Sequence, residues 1–203
     1  MAKKRKEDIM NSKDVLIVPF SDVNDIDNGF TYANSKNIYS KFNDGKFVSH
    51  YDLDKCIEVA QIMPFLMICN EKNEYLVMKR NDAPINKPSD LYSIGLYDHI
   101  YSDDGYSDPL FLSLARLLHT NLIKYKPLPF KHVGYVKDVE KNGNHLGVVF
   151  VLNTLSFTIE PCNKKYAFEW FSKEKLIDNW SRFKPWSQYI INFIIDSELE
   201  EDI

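Results

Sequence analysis

The chain has 203 residues, 44% of them hydrophobic and 14% aromatic, which suffices for the core of one ordinary domain. A formal net charge of -4 gives no electrostatic case for nucleic acid, and no apolar run approaches the ~18 residues of a membrane helix. Seven glycines, nine prolines and no internal self-similarity exclude a low-complexity or repeat protein.

Residues 1–13 open with Met1-Ala-Lys-Lys-Arg-Lys6, but Glu7, Asp8 and Asn11 stand where a signal peptide needs an apolar stretch, so a flexible basic tail is expected. Residues 14–197 read as a single domain, of which 14–60 form an N-terminal extension, and 198–203 as an acidic tail. Val15-Leu-Ile-Val-Pro-Phe20 reads as a strand and 21–28 as a loop. Residues 29–60 carry mixed signals, with Tyr32, Ile38, Tyr39 and Phe42 near helical spacing before Gly45 breaks it.

The almost continuous apolar run 62–69 predicts a strand buried on both faces. Asn70-Glu-Lys-Asn-Glu74 turns the chain into Tyr75-Leu-Val-Met-Lys-Arg80, completing a hairpin, and 81–90, with Pro84 and Pro88, reads as a loop. Residues 91–100 hold a short strand and 101–107 an acidic loop. Asp108-Pro109 opens a helix, with Asp108 as N-cap; Phe111, Leu114, Ala115, Leu118 and Leu122 form its apolar face to about Lys124. Residues 133–139 and 146–152 read as a second strand pair, and 154–159 as an edge strand. An aromatic stretch 168–171, a short helix 173–178 capped by Ser172 and an amphipathic helix 186–195 complete the order. That order predicts a mixed α+β sandwich and disfavours βαβ folds.

Cys56, Cys69 and Cys162 contain no C-x-x-C pair, so neither a zinc ribbon nor a disulfide framework is supported; reduced thiols in a cytoplasmic protein are expected.

Leu91-Tyr-Ser-Ile-Gly-Leu-Tyr-Asp-His-Ile100, Asp103-Asp-Gly105, Asp108-Pro-Leu110 and Leu114-Ala-Arg-Leu-Leu-His-Thr-Asn-Leu122, taken together, resemble a Nudix box. The likeness is to the predicted-phosphoesterase branch of the Nudix superfamily. Gln61-Ile-Met-Pro-Phe65, Met78-Lys-Arg80, His145-Leu-Gly-Val-Val-Phe150 and Trp186-Ser-Gln188 are similar to further segments of that branch, in the same order. The resemblance implies a Nudix fold, a mixed β-sheet sandwiched between α-helices. It also implies hydrolysis of nucleoside diphosphate derivatives with Mg²⁺ or Mn²⁺ held by helix glutamates.

Here the sequence departs from the pattern. Arg116 matches the motif arginine, but Leu117, Thr120 and Asn121 stand at the glutamate positions, and no Asp or Glu occurs from Pro109 through Lys137. Tyr97 and Asp98 replace the paired glycines. The expectation is therefore a catalytically degenerate domain, with no catalytic residue and no cofactor, that binds a nucleotide-type or diphosphate-containing ligand. Arg80, Tyr97, Asp98, His99, Arg116 and His145 are its candidate ligand-binding residues.

Arg116 alternatively pairs with Asp98 or a carbonyl, and Arg80 with a surface ion. The histidines, His119 included, lack metal-ligand spacing and read as structural or solvent-facing. Tyr97, Phe168, Trp170 and Trp186 can stack a base or fill the core. One alternative is a hydrolase whose Mg²⁺ or Mn²⁺ is held by Asp98, Asp103 and Asp104 with Asp138 or Glu169. Another is a protein-interaction module with a filled pocket. No membrane partner is expected, and the oligomeric state stays open, a homodimer included.

Overall fold

The computed structural model describes residues 13–33, 38–42, 44–56, 58–81, 90–105, 107–121, 129–140, 143–154 and 164–199. The apolar run forms β4 (Val59–Asn70), whose ten interior residues are all buried. Two-sided burial needs a layer on each face, and the sheet provides one on either side. Strand β4 lies parallel to β9 (Gly143–Thr154), from Ala60 opposite Asn144 to Asn70 opposite Thr154. In turn, β9 is antiparallel to β8 (Lys131–Glu140), and β8 to the edge strand β2 (Gly29–Tyr32).

The other long edge of β4 is shared. Near its start it pairs with β1 (Asp14–Pro19), which also carries β3 (Lys46–Ser49). The expected hairpin with β5 (Tyr75–Arg80) is joined only at its base, where Cys69 faces Tyr75. Asn70 holds that turn, its Oδ1 accepting from the backbone N–H groups of Lys72 and Glu74 at 2.9 Å each. Beyond it the two strands splay, and residues 93–97 enter the gap: β6 (Ser93–Ile94) pairs with β5, and β7 (Leu96–Tyr97) with β4. Gly95 is the hinge between them, at φ +72°.

Strand alternation assigns the two faces. Ile62, Leu66 and Ile68 pack with Leu110, Leu114, Leu117 and Leu118 of α2 (Pro109–Asn121). Phe65, Met67 and Val149 pack with Leu176 of α3 (Lys173–Asp178) and Ile190, Ile191 and Ile194 of α4 (Pro185–Leu199). A mixed sheet between helices is the α+β architecture expected. Single-turn helix α1 (Tyr39–Phe42) lies in the N-terminal part. Among the described residues no helix is long and apolar enough to cross a membrane.

Several expectations change in three dimensions. Within 29–60, where the sequence signals are mixed and Tyr32 falls near helical spacing, residues 29–32 form β2 because β8 offers them a partner. Phe111, assigned to the apolar face of α2, is 51% exposed and meets Phe130 edge-on, while Leu110 and Leu117 take the buried positions. The aromatic stretch is the edge strand β10 (Tyr166–Phe171), paired along its length with β5. The helix read as 186–195 continues to Leu199. Residues 155–159 of the edge strand expected at 154–159, residues 82–89 of the loop 81–90, Leu122–Lys124, Cys162 and the tail residues 1–12 and 200–203 lie outside the described residues.

Asp108 does cap α2, its Oδ1 accepting from the Phe111 N–H at 3.1 Å, and Ser172 caps α3. Buried Lys137 of β8 donates to the Ile26 and Val23 carbonyls at 2.7 and 3.0 Å, tying the segment that follows β1 to the sheet.

Candidate functional site

At the entrance to the α4 face of the sheet, side chains from four strands and the start of α4 enclose a cleft of about 250 Å³. Its lining includes Met63 of β4, Tyr97 of β7, Asp138 of β8 and His145 of β9, with His99 just past β7. Lys184 and the first turn of α4, Pro185-Trp186-Ser187, close the other side.

Local sequence explains this placement. Proline suits the first helical position, because its missing N–H is unpaired there in any case. That leaves Lys184 at the helix mouth, where its Nζ donates to the Tyr97 hydroxyl at 2.9 Å. Ser187 anchors the helix by accepting from the buried Ile94 N–H at 3.1 Å, and Gln188 donates its side-chain N–H to the Phe183 carbonyl at 3.0 Å. Trp186 lies against Gly147, where any Cβ would sit 2.9 Å from the indole ring. A larger residue there would push the indole away from β9.

The rings form a connected wall. Tyr97 stacks on Phe65 at 5.4 Å and 6°, and Trp186 lies 6.1 Å from Tyr97 and 6.2 Å from His145. The cleft therefore presents flat apolar faces, one ammonium, one carboxylate and two imidazoles.

His99 is the most perturbed of these groups. Burial holds its pKa down at about 4; Asp98 pulls the other way, while His50, His145 and Arg116 add to the depression. Its Nδ1 is buried with no hydrogen-bond partner among the described residues, and its ring lies 5.5 Å from that of His50. The folded chain thus refuses a proton that the unfolded chain accepts below the ordinary value of 6.5. Stability present above pH about 6.5 is accordingly lost as pH falls towards 4. Urea midpoints measured across that window should fall more shallowly in His99→Gln than in the parent; equal slopes would refute the assignment.

Arg116 and Arg80, expected at the ligand, do not line the cleft. Arg80 is exposed at the end of β5, opposite Tyr166 on the outer strand β10. Arg116 is committed to residues 98–104. Its Nε donates to Asp104 at 2.6 Å, one terminal nitrogen to Asp98 at 2.7 Å, and the other to the His99 carbonyl at 2.7 Å and Asp104 at 3.1 Å. Burial disfavours the charged guanidinium, but the hydrogen bonds and charges of Asp104 and Asp98 outweigh it and raise its pKa. Asp98 likewise stands in this network rather than in the cleft, accepting from the Tyr101 hydroxyl at 3.1 Å. Arg116 also packs over the Tyr101 ring, 4.7 Å from its centroid.

The carboxylate-held divalent ion of Nudix chemistry does not fit this donor set. Leu117 is 3% exposed and lies in the core. The Thr120 hydroxyl donates back to the Arg116 carbonyl at 2.9 Å, and the Asn121 amide to that of Leu117 at 2.9 Å. Of the acids that could substitute, Asp138 lines the cleft and the others face cations. Asp98 and Asp104 are held by Arg116, Asp103 faces Lys13 at 3.4 Å, and Glu169 faces Lys175 at 3.2 Å on β10. Among the described residues no three His, Cys, Asp or Glu side chains gather where they could hold a metal.

Of the six candidates, the fold brings Tyr97, His99 and His145 together. Sequence reasoning missed Lys184 and Met63. The Lys-Pro pair opening a helix was the available signal for Lys184; Met63 reads as one more residue of an apolar run.

No protein-family profile and no curated protein matches the sequence. The structure, however, is similar to that of Tm1382, a proposed Nudix hydrolase, with a TM-score of 0.73 and 18% identity over 90% of this chain and 98% of that one. It is also similar to the Nudix domain of NrtR from Shewanella oneidensis, whose structure holds ADP-ribose. There the TM-score is 0.53 and the identity 11%, over 73% of this chain and 92% of that one. A MutT Nudix hydrolase from Burkholderia pseudomallei matches with a TM-score of 0.51 and 12% identity, over 66% of this chain and 96% of that one. These similarities of structure show that this chain has the Nudix fold.

Proposed function

We propose that this Nudix-fold chain binds a nucleotide-type or diphosphate-containing small molecule in the Tyr97–His145–Lys184–Trp186 cleft and does not hydrolyse it by the metal route. The observation that carries this reading is the combination in one cleft of the Tyr97 and Trp186 rings with a cation at a helix N-terminus. Flat rings suit a base, and an ammonium beside a helix N-terminus suits phosphate oxygens. The α2 positions that would hold Mg²⁺ or Mn²⁺ carry Leu117, Thr120 and Asn121 instead. At about 250 Å³ the cleft falls below the ~300 Å³ at which drug-sized pockets begin, so it suits one ring-bearing part of such a ligand, the rest lying outside. That the NrtR domain holds ADP-ribose supports testing this compound first.

Thermal shift and calorimetric titration with ADP-ribose, nucleotide sugars, dinucleoside polyphosphates and isopentenyl diphosphate, each with and without Mg²⁺, test the proposal. Metal-independent stabilisation is expected, about 2.7 kcal/mol at ~100 times the dissociation constant. Trp186→Ala and Lys184→Met should each weaken binding about tenfold, or ~1.4 kcal/mol. Mg²⁺-dependent turnover would promote a hydrolase built on substitute acids, and failure of all these ligands to bind would leave a protein-interaction module.

A further inference from the structure

A second cavity, of about 190 Å³, lies between the edge strand β2 and the outer face of α4, and shares no lining residue with the cleft. Phe30 and Tyr32 line it from the strand; Tyr189, Asn192, Phe193 and Asp196 line it from successive turns of the helix. Its wall is largely aromatic. Phe30 and Phe193 stack at 4.1 Å, and Tyr32 meets both nearly edge-on, at 5.7 and 5.4 Å. Tyr32 remains 42% exposed, so this cluster is packed on the inside and open on the outside.

The charge at this cavity is one-sided. Asp196 is exposed, and among the described residues it has no partner and no Lys, Arg or His lines the cavity. Aromatic faces are negative and attract cations, most effectively when the cation costs little to desolvate. A bare ammonium or a guanidinium would bring several N–H donors that must shed their water against the rings, with the Asp196 carboxylate as their one charged acceptor and the Asn192 carbonyl already accepting from the Trp180 indole N–H at 3.0 Å. An alkylated ammonium brings none.

We propose that the Phe30–Tyr32–Tyr189–Phe193 cavity with Asp196 is a binding site for a small trimethylammonium compound. The rings contact the methyl groups, and the carboxylate balances the charge. The site stands independently of the nucleotide-type cleft.

The test is a titration of the whole chain with choline chloride, followed by calorimetry and by NMR of the aromatic side chains. Equal concentrations of sodium chloride control for salt, and 3,3-dimethyl-1-butanol serves as the uncharged isostere. Saturable choline binding in the millimolar range is expected, with shifts centred on Tyr32, Tyr189, Phe30 and Phe193 and at least about tenfold weaker binding of the isostere. Asp196→Asn, an exposed substitution that should leave thermal unfolding unchanged, should weaken choline binding several-fold. Equal binding of choline and its isostere would overturn the proposal by showing a plain apolar depression. So would absence of saturation, or an Asp196→Asn variant that binds choline like the parent.

Discussion

Replacing Gly95 with alanine should lower the unfolding free energy by about 3–5 kcal/mol in urea denaturation. The backbone at Gly95 has φ +72°, a region that costs an L side chain strain, and an added Cβ would sit 2.3 Å from the Leu66 carbonyl oxygen. That oxygen belongs to the fully buried middle of β4, with the Met67 Cα also within 3.1 Å of the new atom, so nothing flexible can yield. Gly95 also donates its N–H to the Leu76 carbonyl of β5 at 2.8 Å, and so stitches the wedge to that strand. Since Tyr97 and His99 follow within four residues, ligand affinity at the cleft should fall with stability. A loss below about 1 kcal/mol would show that β4 can move aside, and would refute this account of the wedge.

Arg116→Met should cost about 2–4 kcal/mol. The substitution keeps an apolar stem over Tyr101 but removes the cation from Asp104, whose side chain is 3% exposed, and from Asp98. An isolated buried carboxylate is far more costly than a pair, whereas the partly exposed Asp98 is screened by solvent and adds less. Arg116→Lys should rescue little, because one ammonium cannot reach Asp104, Asp98 and the His99 carbonyl in the fork geometry that guanidinium provides. Adding Asp104→Asn to Arg116→Met should recover part of the loss. Unchanged stability in Arg116→Met would mean that residues 98–104 are held elsewhere, for instance by the backbone contact from the Leu16 N–H to the Ile100 carbonyl at 3.0 Å. Because Arg116 lies outside the cleft, its replacement should affect ligand binding less than Lys184→Met does.

Several positions of the segments that resemble the Nudix box serve the framework. The glycine of Ser93-Ile-Gly95 is required by strand geometry and the glycine of His145-Leu-Gly147 by the Val136 side chain and the indole of Trp186, whatever the site does. Ser187 and Gln188 of the Trp-Ser-Gln segment anchor α4 through the Ile94 N–H and the Phe183 carbonyl. The resemblance across these segments is thus a resemblance of framework. The acids on α2, which the framework does not require, are the part that differs.

Local pattern determined a good deal by itself. Two-sided burial of β4, the Asp108-Pro109 start of α2, the turn at Asn70 and the amphipathic α4 are all legible, because each rests on neighbours within one or two turns of chain. Tyr97, His99 and His145 are legible as candidates because they fall inside matched segments. Only the tertiary structure decided that β4 and β5 part after one residue pair, that 93–97 fill the gap, and that 29–32 and 166–171 become sheet edges. Only it placed Lys184 beside Tyr97, 87 residues apart in sequence, and drew Arg116 to Asp98, a partner the sequence left open, and to Asp104 as well. The reason is physical: a residue's periodicity records how much of it is buried, not which distant strand, ring or charge buries it.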